Sequence, residues 1–396
     1  MADSVIERLM QTNPDLEVWW DSSPLVFASW MKSMIDRAPA ARKEERAAQL
    51  GRLFNAADPA KSVFRGCTTN PPLSLAAVKS DPQRWDARVR ELAHENPGVD
   101  AKGLFWMVYK DVIRKGAGMF YPLYEASNRR FGWISGQLDP RLFTEKEIMY
   151  QQADDIASIA PNVMVKVPAT QQGVDVVRYL TSKAISTNVT TCFTMPQIMA
   201  VARAAKEGYE IGRKNGVDMS GWRAVITHML GRLIERKELD AQAEYCGVKL
   251  SEADKKWFGA AVFKRACRMI REGGYPSKML LCSVRPGPLV SGKMRYWDIE
   301  SFAGGDVVFT LPPGALTPLF DIGDDLEFRA HAIDEEVPSS AMEKILKTPY
   351  GKQAYDPYGL SLDQFNTHPS TLFTVDEFGR AAAGLEEYVA KIVATL

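Results

Sequence analysis

Asn162-Val163-Met164-Val165-Lys166-Val167-Pro168-Ala169-Thr170 runs directly into residues 171–182, where Val174, Val177 and Leu180 recur on one helical face. The first half is a continuous apolar, β-branched run, the pattern of a strand covered on both faces in a parallel sheet. The second half has helical period. The same couplet repeats along the chain. Candidate strands fall at 16–21, 63–67, 131–137, 162–168, 185–193, 223–229, 278–284 and 306–311, with helical stretches such as 197–213 between them. Eight strands, each followed by helical sequence, predict an α/β fold of the (β/α)8 TIM-barrel type. The 396 residues exceed the roughly 250 typical of such barrels. Helical insertions are therefore expected near 74–128 and 233–275. Thr374-Val375-Asp376-Glu377 reads as a capping box. It would open a C-terminal packing helix near 375–395, with Phe378, Leu385, Tyr388, Val389 and Ile392 at helical spacing. Pro312-Pro313 and 334–340 read as loops. No repeat or low-complexity linker divides the chain, so 1–396 is expected to be a single domain.

Composition excludes several function classes. Lys plus Arg and Asp plus Glu are both 49, so no basic excess exists to release counterions from nucleic acid. The apolar runs are too short to span a membrane. Met1-Ala2-Asp3-Ser4 lacks an apolar signal core. The five cysteines (67, 192, 246, 267 and 282) show no CxxC spacing and read as reduced thiols. A cytoplasmic protein is expected. The four histidines (94, 228, 331 and 368) are scattered, with no metal-binding spacing. P-loop, GxSxG and dinucleotide fingerprints are absent, Gly116-Ala117-Gly118 lacking the third glycine. No metal and no cofactor is expected.

Lys166 is the chemical anomaly. An ammonium in an apolar strand loses its hydration. One outcome is a head group that reaches water past a buried stem. The other is a depressed pKa and a neutral amine able to attack carbonyls. Its company favours the second. Chemistry in a (β/α)8 barrel sits at the carboxyl ends of the strands. Those ends carry Asp21; Thr68, Thr69 and Asn70; Gln137 and Asp139; Lys166; Asn188 and Thr190; Thr227 and Arg232; and Ser283 and Arg285. A lysine amine can form an iminium with a ketone, and a nearby carboxylate can take a hydroxyl proton as a carbon–carbon bond breaks. Amides can hold hydroxyls, and arginines can bind a phosphate through paired N–H groups.

The segments Gly66-Cys67-Thr68-Thr69-Asn70-Pro71-Pro72-Leu73, Leu138-Asp139-Pro140-Arg141-Leu142, Val165-Lys166-Val167-Pro168-Ala169-Thr170 and Ser186-Thr187-Asn188-Val189-Thr190 resemble the transaldolase family. Order and spacing agree over roughly 16–315, and the tail resembles longer bacterial members. The resemblance implies a Schiff-base role for Lys166 and an acid/base role for Asp21. It implies that Asn70 and Asn188 hold dihydroxyacetone hydroxyls and that Thr190 positions a water. Thr68 is expected to line the sugar with them. Thr227 stands where the family usually has serine. Arg232, Arg285 and Ser283 match the phosphate site. Asn70 before proline could equally be a turn residue, Thr190 an ordinary strand threonine, and Arg232 a surface arginine.

The chain departs from the family at Gln137. Ordinary transaldolases carry a glutamate there that shuttles protons. The fructose-6-phosphate aldolase branch has glutamine and compensates with a tyrosine at the position of Met229. Neither proton carrier is present here. His228 lies beside this position, but strand alternation turns it to the opposite face from Thr227 and Met229. Trp19 and Trp20 read as packing within the barrel. The leading expectation is a transferase moving a dihydroxyacetone unit from a ketose phosphate to an aldose phosphate. A fructose-6-phosphate-aldolase-like or specialised sugar aldolase is the alternative, and a weakly active sugar-phosphate-binding barrel the second. The expected partner is a sugar phosphate, without nucleic acid or membrane. A homodimer is left open by the sequence.

Overall fold

The computed structural model describes residues 2–55 and 57–396. Eight parallel strands close into a barrel: β1 (Glu17–Asp21), β2 (Phe64–Thr68), β3 (Trp133–Gln137), β4 (Val163–Pro168), β5 (Thr187–Cys192), β6 (Ala224–Met229), β7 (Lys278–Cys282) and β8 (Val308–Leu311). Each pairs with its sequence neighbours, and β8 closes on β1 through Glu17 opposite Val308 and Trp20 opposite Leu311. The expected eight-stranded α/β barrel is thus the observed one. Its strands are buried on both faces, which explains why they read as unbroken apolar runs.

Helices Pro71–Ser80, Pro82–Glu95 and Ala101–Ala126 fill the β2–β3 connection, and Leu230–Ile234, Lys237–Tyr245 and Glu252–Glu272 fill β6–β7. Gln171–Ser182 has the predicted bounds, its start set by Thr170, whose hydroxyl accepts from the Gly173 amide at 3.0 Å.

Three expectations change. Strand β7 is not followed by a long helix; a short hairpin (Leu289–Val290 with Lys293–Met294) and a single turn, Trp297–Glu300, replace it. Pro286 and Pro288, with Gly287 at φ +120°, suit a turn rather than a helix. Pro313 opens a helix, Pro313–Ile322, and Ser339 and Ser340 belong to another, Ser339–Ile345, so neither is a loop residue. A proline is at home in a first helical turn, where its missing N–H costs nothing. The Thr374 capping box does not form. The terminal helix spans Pro369–Val393, entered through His368, whose ring accepts from the Ser370 amide, with proline again at its first position. Thr374 to Glu377 therefore lie within the helix. This helix packs on Pro71–Ser80 and Ala101–Ala126, across the end of the barrel where the strands finish.

Alternation sorts β1. Trp20 turns outward onto Phe27, Trp30 and Phe64, while Trp19 fills the interior. A Cβ on Gly66 of β2 would lie 2.6 Å from the Trp19 indole, so glycine makes room for it. Below Trp19 sits Glu17. Its carboxylate accepts from Trp19 Nε1 at 3.0 Å, Arg223 at 2.6 Å and Lys278 at 2.9 Å. Burial alone would raise its pKa; Arg223 and Lys278 outweigh that and hold it low. The barrel floor is thus an ion cluster joining β1 to β6 and β7. Glu17→Gln would leave Arg223 without a carboxylate and Lys278 with Asp306 alone at 2.7 Å, with an expected loss of about 3 kcal/mol in urea unfolding at pH 7.

His228 turns outward, as alternation predicts, packs on Phe263 at 5.9 Å and is fully buried. Burial holds its pKa down at about 3, and neither ring nitrogen has a hydrogen-bond partner. Below pH 6.5 the unfolded chain takes up a proton that the folded one refuses, so stability falls with acidity. His228→Phe should shrink the stability difference between pH 7 and pH 5 by about 2 kcal/mol in urea titrations.

Candidate active site

A cavity of about 220 Å³ opens at the carboxyl ends of the strands. Its wall includes Asp21, Asn70, Lys166, Thr227, Arg232, Ser283 and Arg285, all expected from sequence. Thr68, Gln137, Asn188 and Thr190 are buried behind this surface and reach it through hydrogen bonds or strand register. Among the described residues, no group of three or more His, Cys, Asp and Glu side chains is placed to hold a metal.

Lys166 points inward from β4 and is 4% exposed. Its Nζ donates to the Thr69 carbonyl at 3.2 Å. Burial lowers its pKa, against the opposing pull of Asp21. Asp21 is half-buried at the cavity wall, and desolvation raises its pKa despite Lys166, Thr68 and Arg232. Desolvation therefore pushes the amine and the acid each toward its uncharged form, against their mutual attraction. Asp21 Oδ1 accepts from Thr68 Oγ1 at 2.6 Å, and that hydroxyl also meets Thr310 Oγ1 at 2.5 Å. The carboxyl is thereby fixed to β2 and β8 as well as to its own strand.

A second network lies behind Lys166. Thr227 Oγ1 donates to Asn188 Oδ1 at 2.6 Å, and Asn188 Nδ2 donates to Ser135 Oγ at 2.7 Å. Both ends of the Asn188 amide are thus held by neighbouring strands. Thr190 Oγ1 points at Met229 Sδ, 3.7 Å away, a weak acceptor. Gln137 stands opposite Lys166 in the β3–β4 register, and its side-chain oxygen is buried without a partner. Asn70 caps the helix Pro71–Ser80, accepting from the Leu73 amide at 3.0 Å, while lining the cavity. The turn role and the site position coexist in this residue.

The cationic side is built differently. Gly231 donates its N–H to the Ser283 carbonyl at 3.0 Å, and a Cβ on Gly231 would sit 2.3 Å from that oxygen. Glycine there draws the chain after β6 against the chain after β7, bringing Arg232 beside Ser283. Arg285 follows, its N–H donating to Asp298 at 2.7 Å, and Asp298 is paired with buried Lys256 at 2.9 Å. The Arg285 side chain meets Glu235 at 3.4 Å. Arg232 is held by both oxygens of Glu377, at 2.7 and 3.1 Å.

Sequence reasoning missed Thr310, Ser135 and Glu377. Thr310 and Ser135 occupy inward positions of β8 and β3, so period two around Gln137 could have found Ser135. Glu377 gave no such signal, because the long helix that carries it arrives from elsewhere in the fold.

The family model described as transaldolase/fructose-6-phosphate aldolase matches residues 57–355. A transaldolase of Mycolicibacterium smegmatis is 33% identical over 184 residues, covering 46% of this chain and 48% of its own. Transaldolase 1 of Streptomyces avermitilis is 31% identical over 192 residues, 48% and 50% of the two chains. A transaldolase of Saccharopolyspora erythraea is 27% identical over 329 residues, 80% and 83% of the two. In the first two of these matches the chain spans about half the length of the curated relative. Because the family match runs from β2 to beyond β8, and so takes in the lysine strand, the chain belongs to the transaldolase/fructose-6-phosphate aldolase family.

Proposed function

We propose that this chain is a Schiff-base transferase that moves a dihydroxyacetone unit from a ketose phosphate to an aldose phosphate. The observation that carries the reading is a buried lysine sharing one cavity with a half-buried aspartate and two arginines. Neutral Lys166 adds to the keto carbon, and loss of water gives the iminium. The iminium is a fixed cation, whereas the free amine was not. Its charge draws Asp21 toward the carboxylate form. Asp21 then accepts the proton of the hydroxyl two carbons along, the carbon–carbon bond between them breaks, and its electrons neutralise the iminium as an enamine. The aldose fragment leaves. An incoming aldehyde reverses the sequence, and water releases the new ketose from Lys166.

Asn188, immobilised between Thr227 and Ser135, is pre-set to bind a substrate hydroxyl without paying to order itself. Asn70 serves the same fragment from the opposite wall. Arg232, Arg285 and Ser283 receive the phosphate. The sugar phosphate is the expected partner, and five free thiols accord with a cytoplasmic setting. Among the described residues, no helix is long and apolar enough to cross a membrane.

A second reading is an aldolase that releases dihydroxyacetone. The unpartnered Gln137 oxygen and the Thr190–Met229 contact favour it, because neither Gln137 nor Met229 can exchange a proton near pH 7. Product analysis without an acceptor aldehyde separates the two: free dihydroxyacetone supports cleavage, whereas product formed only with acceptor supports transfer.

Borohydride in the presence of fructose 6-phosphate should leave a reduced adduct on Lys166, visible by peptide mass spectrometry and lost in Lys166→Met. An unmodified Lys166 overturns the reading. Gln137→Glu should raise transfer turnover by about 10²-fold, the scale of one positioned proton carrier, in a coupled assay with an aldose-phosphate acceptor.

A further inference from the structure

The side of the cavity that would receive the far end of a sugar is already occupied by the chain's own carboxylate. Glu377 takes both terminal nitrogens of Arg232. This is the fork-to-fork geometry that a phosphate would use. An exposed pair of this kind would carry little meaning. This one lines the cavity and is bidentate, with the Arg232 side chain 16% exposed and that of Glu377 40% exposed.

The contact is also not isolated. Ser370 Oγ donates to the Arg232 carbonyl at 3.1 Å, Thr374 Oγ1 lies 3.5 Å from Nη1, and the rings of Phe373 and Phe378 stand 5.6 and 5.1 Å from the guanidinium. Positions 370, 373, 374, 377 and 378 share one face of the terminal helix. A whole helical face is therefore shaped around a single arginine. The helix itself is pinned further along by Arg141 on Glu386 at 2.6 Å. Arg285, the other arginine, meets Glu235 through one nitrogen at 3.4 Å and is 48% exposed, a looser arrangement.

We infer that Glu377 is a specificity-determining residue, which lowers the cavity's preference for a dianionic group at the distal end of the sugar and narrows the gap between phosphorylated and unphosphorylated ketoses. An incoming phosphate must either displace Glu377 from Arg232 or bind beside a fixed negative charge. Like charges so placed disfavour each other strongly in a partly desolvated pocket. A neutral hydroxyl meets neither obstacle, and can accept from Arg232 or donate to Glu377. The inference deepens the sugar-transfer reading and rests on it for the identity of the substrate.

Two measurements on the full chain test it. The first is calorimetric titration with inorganic phosphate, which needs no turnover. Glu377→Gln keeps the side-chain shape and removes the charge; it should tighten phosphate binding about tenfold. Glu377→Asp, which withdraws the carboxylate by one methylene, should fall between. Circular dichroism establishes that each variant is folded, and either variant alone suffices. The second is the ratio of kcat/KM for fructose 6-phosphate to that for fructose, which should rise about tenfold in Glu377→Gln, chiefly through the KM of the phosphorylated donor. Phosphate binding that is unchanged or weaker in both variants would overturn the inference, because Glu377 would then only position the guanidinium. Absence of a Lys166 adduct with any ketose would instead sink the aldol reading, and the phosphate titration would still be readable.

Discussion

Desolvation of Lys166 beside Asp21 is the constraint around which the barrel is organised. Two ionisable groups in a closed ring of strands would ordinarily be a liability. Here burial moves each toward its uncharged form, the amine down and the acid up. The surrounding hydrogen bonds fix their positions: Thr68, itself held by Thr310, donates to the Asp21 carboxyl and pulls against the effect of burial, and the Thr69 carbonyl receives the amine. Under the proposed function, an iminium formed on Lys166 would be a charge that the substrate creates in a place already shaped around it, a form of preorganisation.

That arrangement needs a rigid frame, and the opposite end of the barrel supplies one. Glu17, Arg223 and Lys278 tie β1 to β6 and β7, with Trp19 filling the space between this floor and the reacting groups. The floor keeps its charges paired. In the upper layer burial pushes the amine down and the acid up, toward their uncharged forms. The two solutions to buried charge sit at opposite ends of the same strand, β1, at Glu17 and Asp21.

The barrel was legible in the sequence because buried parallel strands leave a strong local mark. The β4 run and its following helix could be read residue by residue, since a period of 3.6 and an unbroken apolar strand are both local properties. The excess length called for insertions, and the charge and alanine content of 233–275 marked that stretch as helical. The cavity wall was legible where residues lie at strand ends, as Asp21, Lys166 and Thr227 do. Legibility failed where partners come from distant segments. Thr374 to Glu377 have the composition of a helix start, yet Pro369 opens the helix earlier, because a proline six residues or so upstream can begin a helix that tertiary packing then extends. The same error hid Glu377, whose significance depends on where Arg232 sits rather than on its own neighbours in sequence. The turn after β7 was misjudged because its prolines lie just beyond a run that looked like every other strand–helix couplet.

The replacement of a long helix by a hairpin after β7 leaves the molecule with a division of labour. Lys166 and Asp21 belong to strands locked into the closed ring. The arginine side of the cavity is formed by segments outside that ring: the stretch around Arg285, anchored through Asp298 and Lys256, and one face of the terminal helix. Changes in these outer segments can reshape the arginine side of the cavity while leaving Lys166 and Asp21 in place, so the two walls are free to evolve on separate schedules.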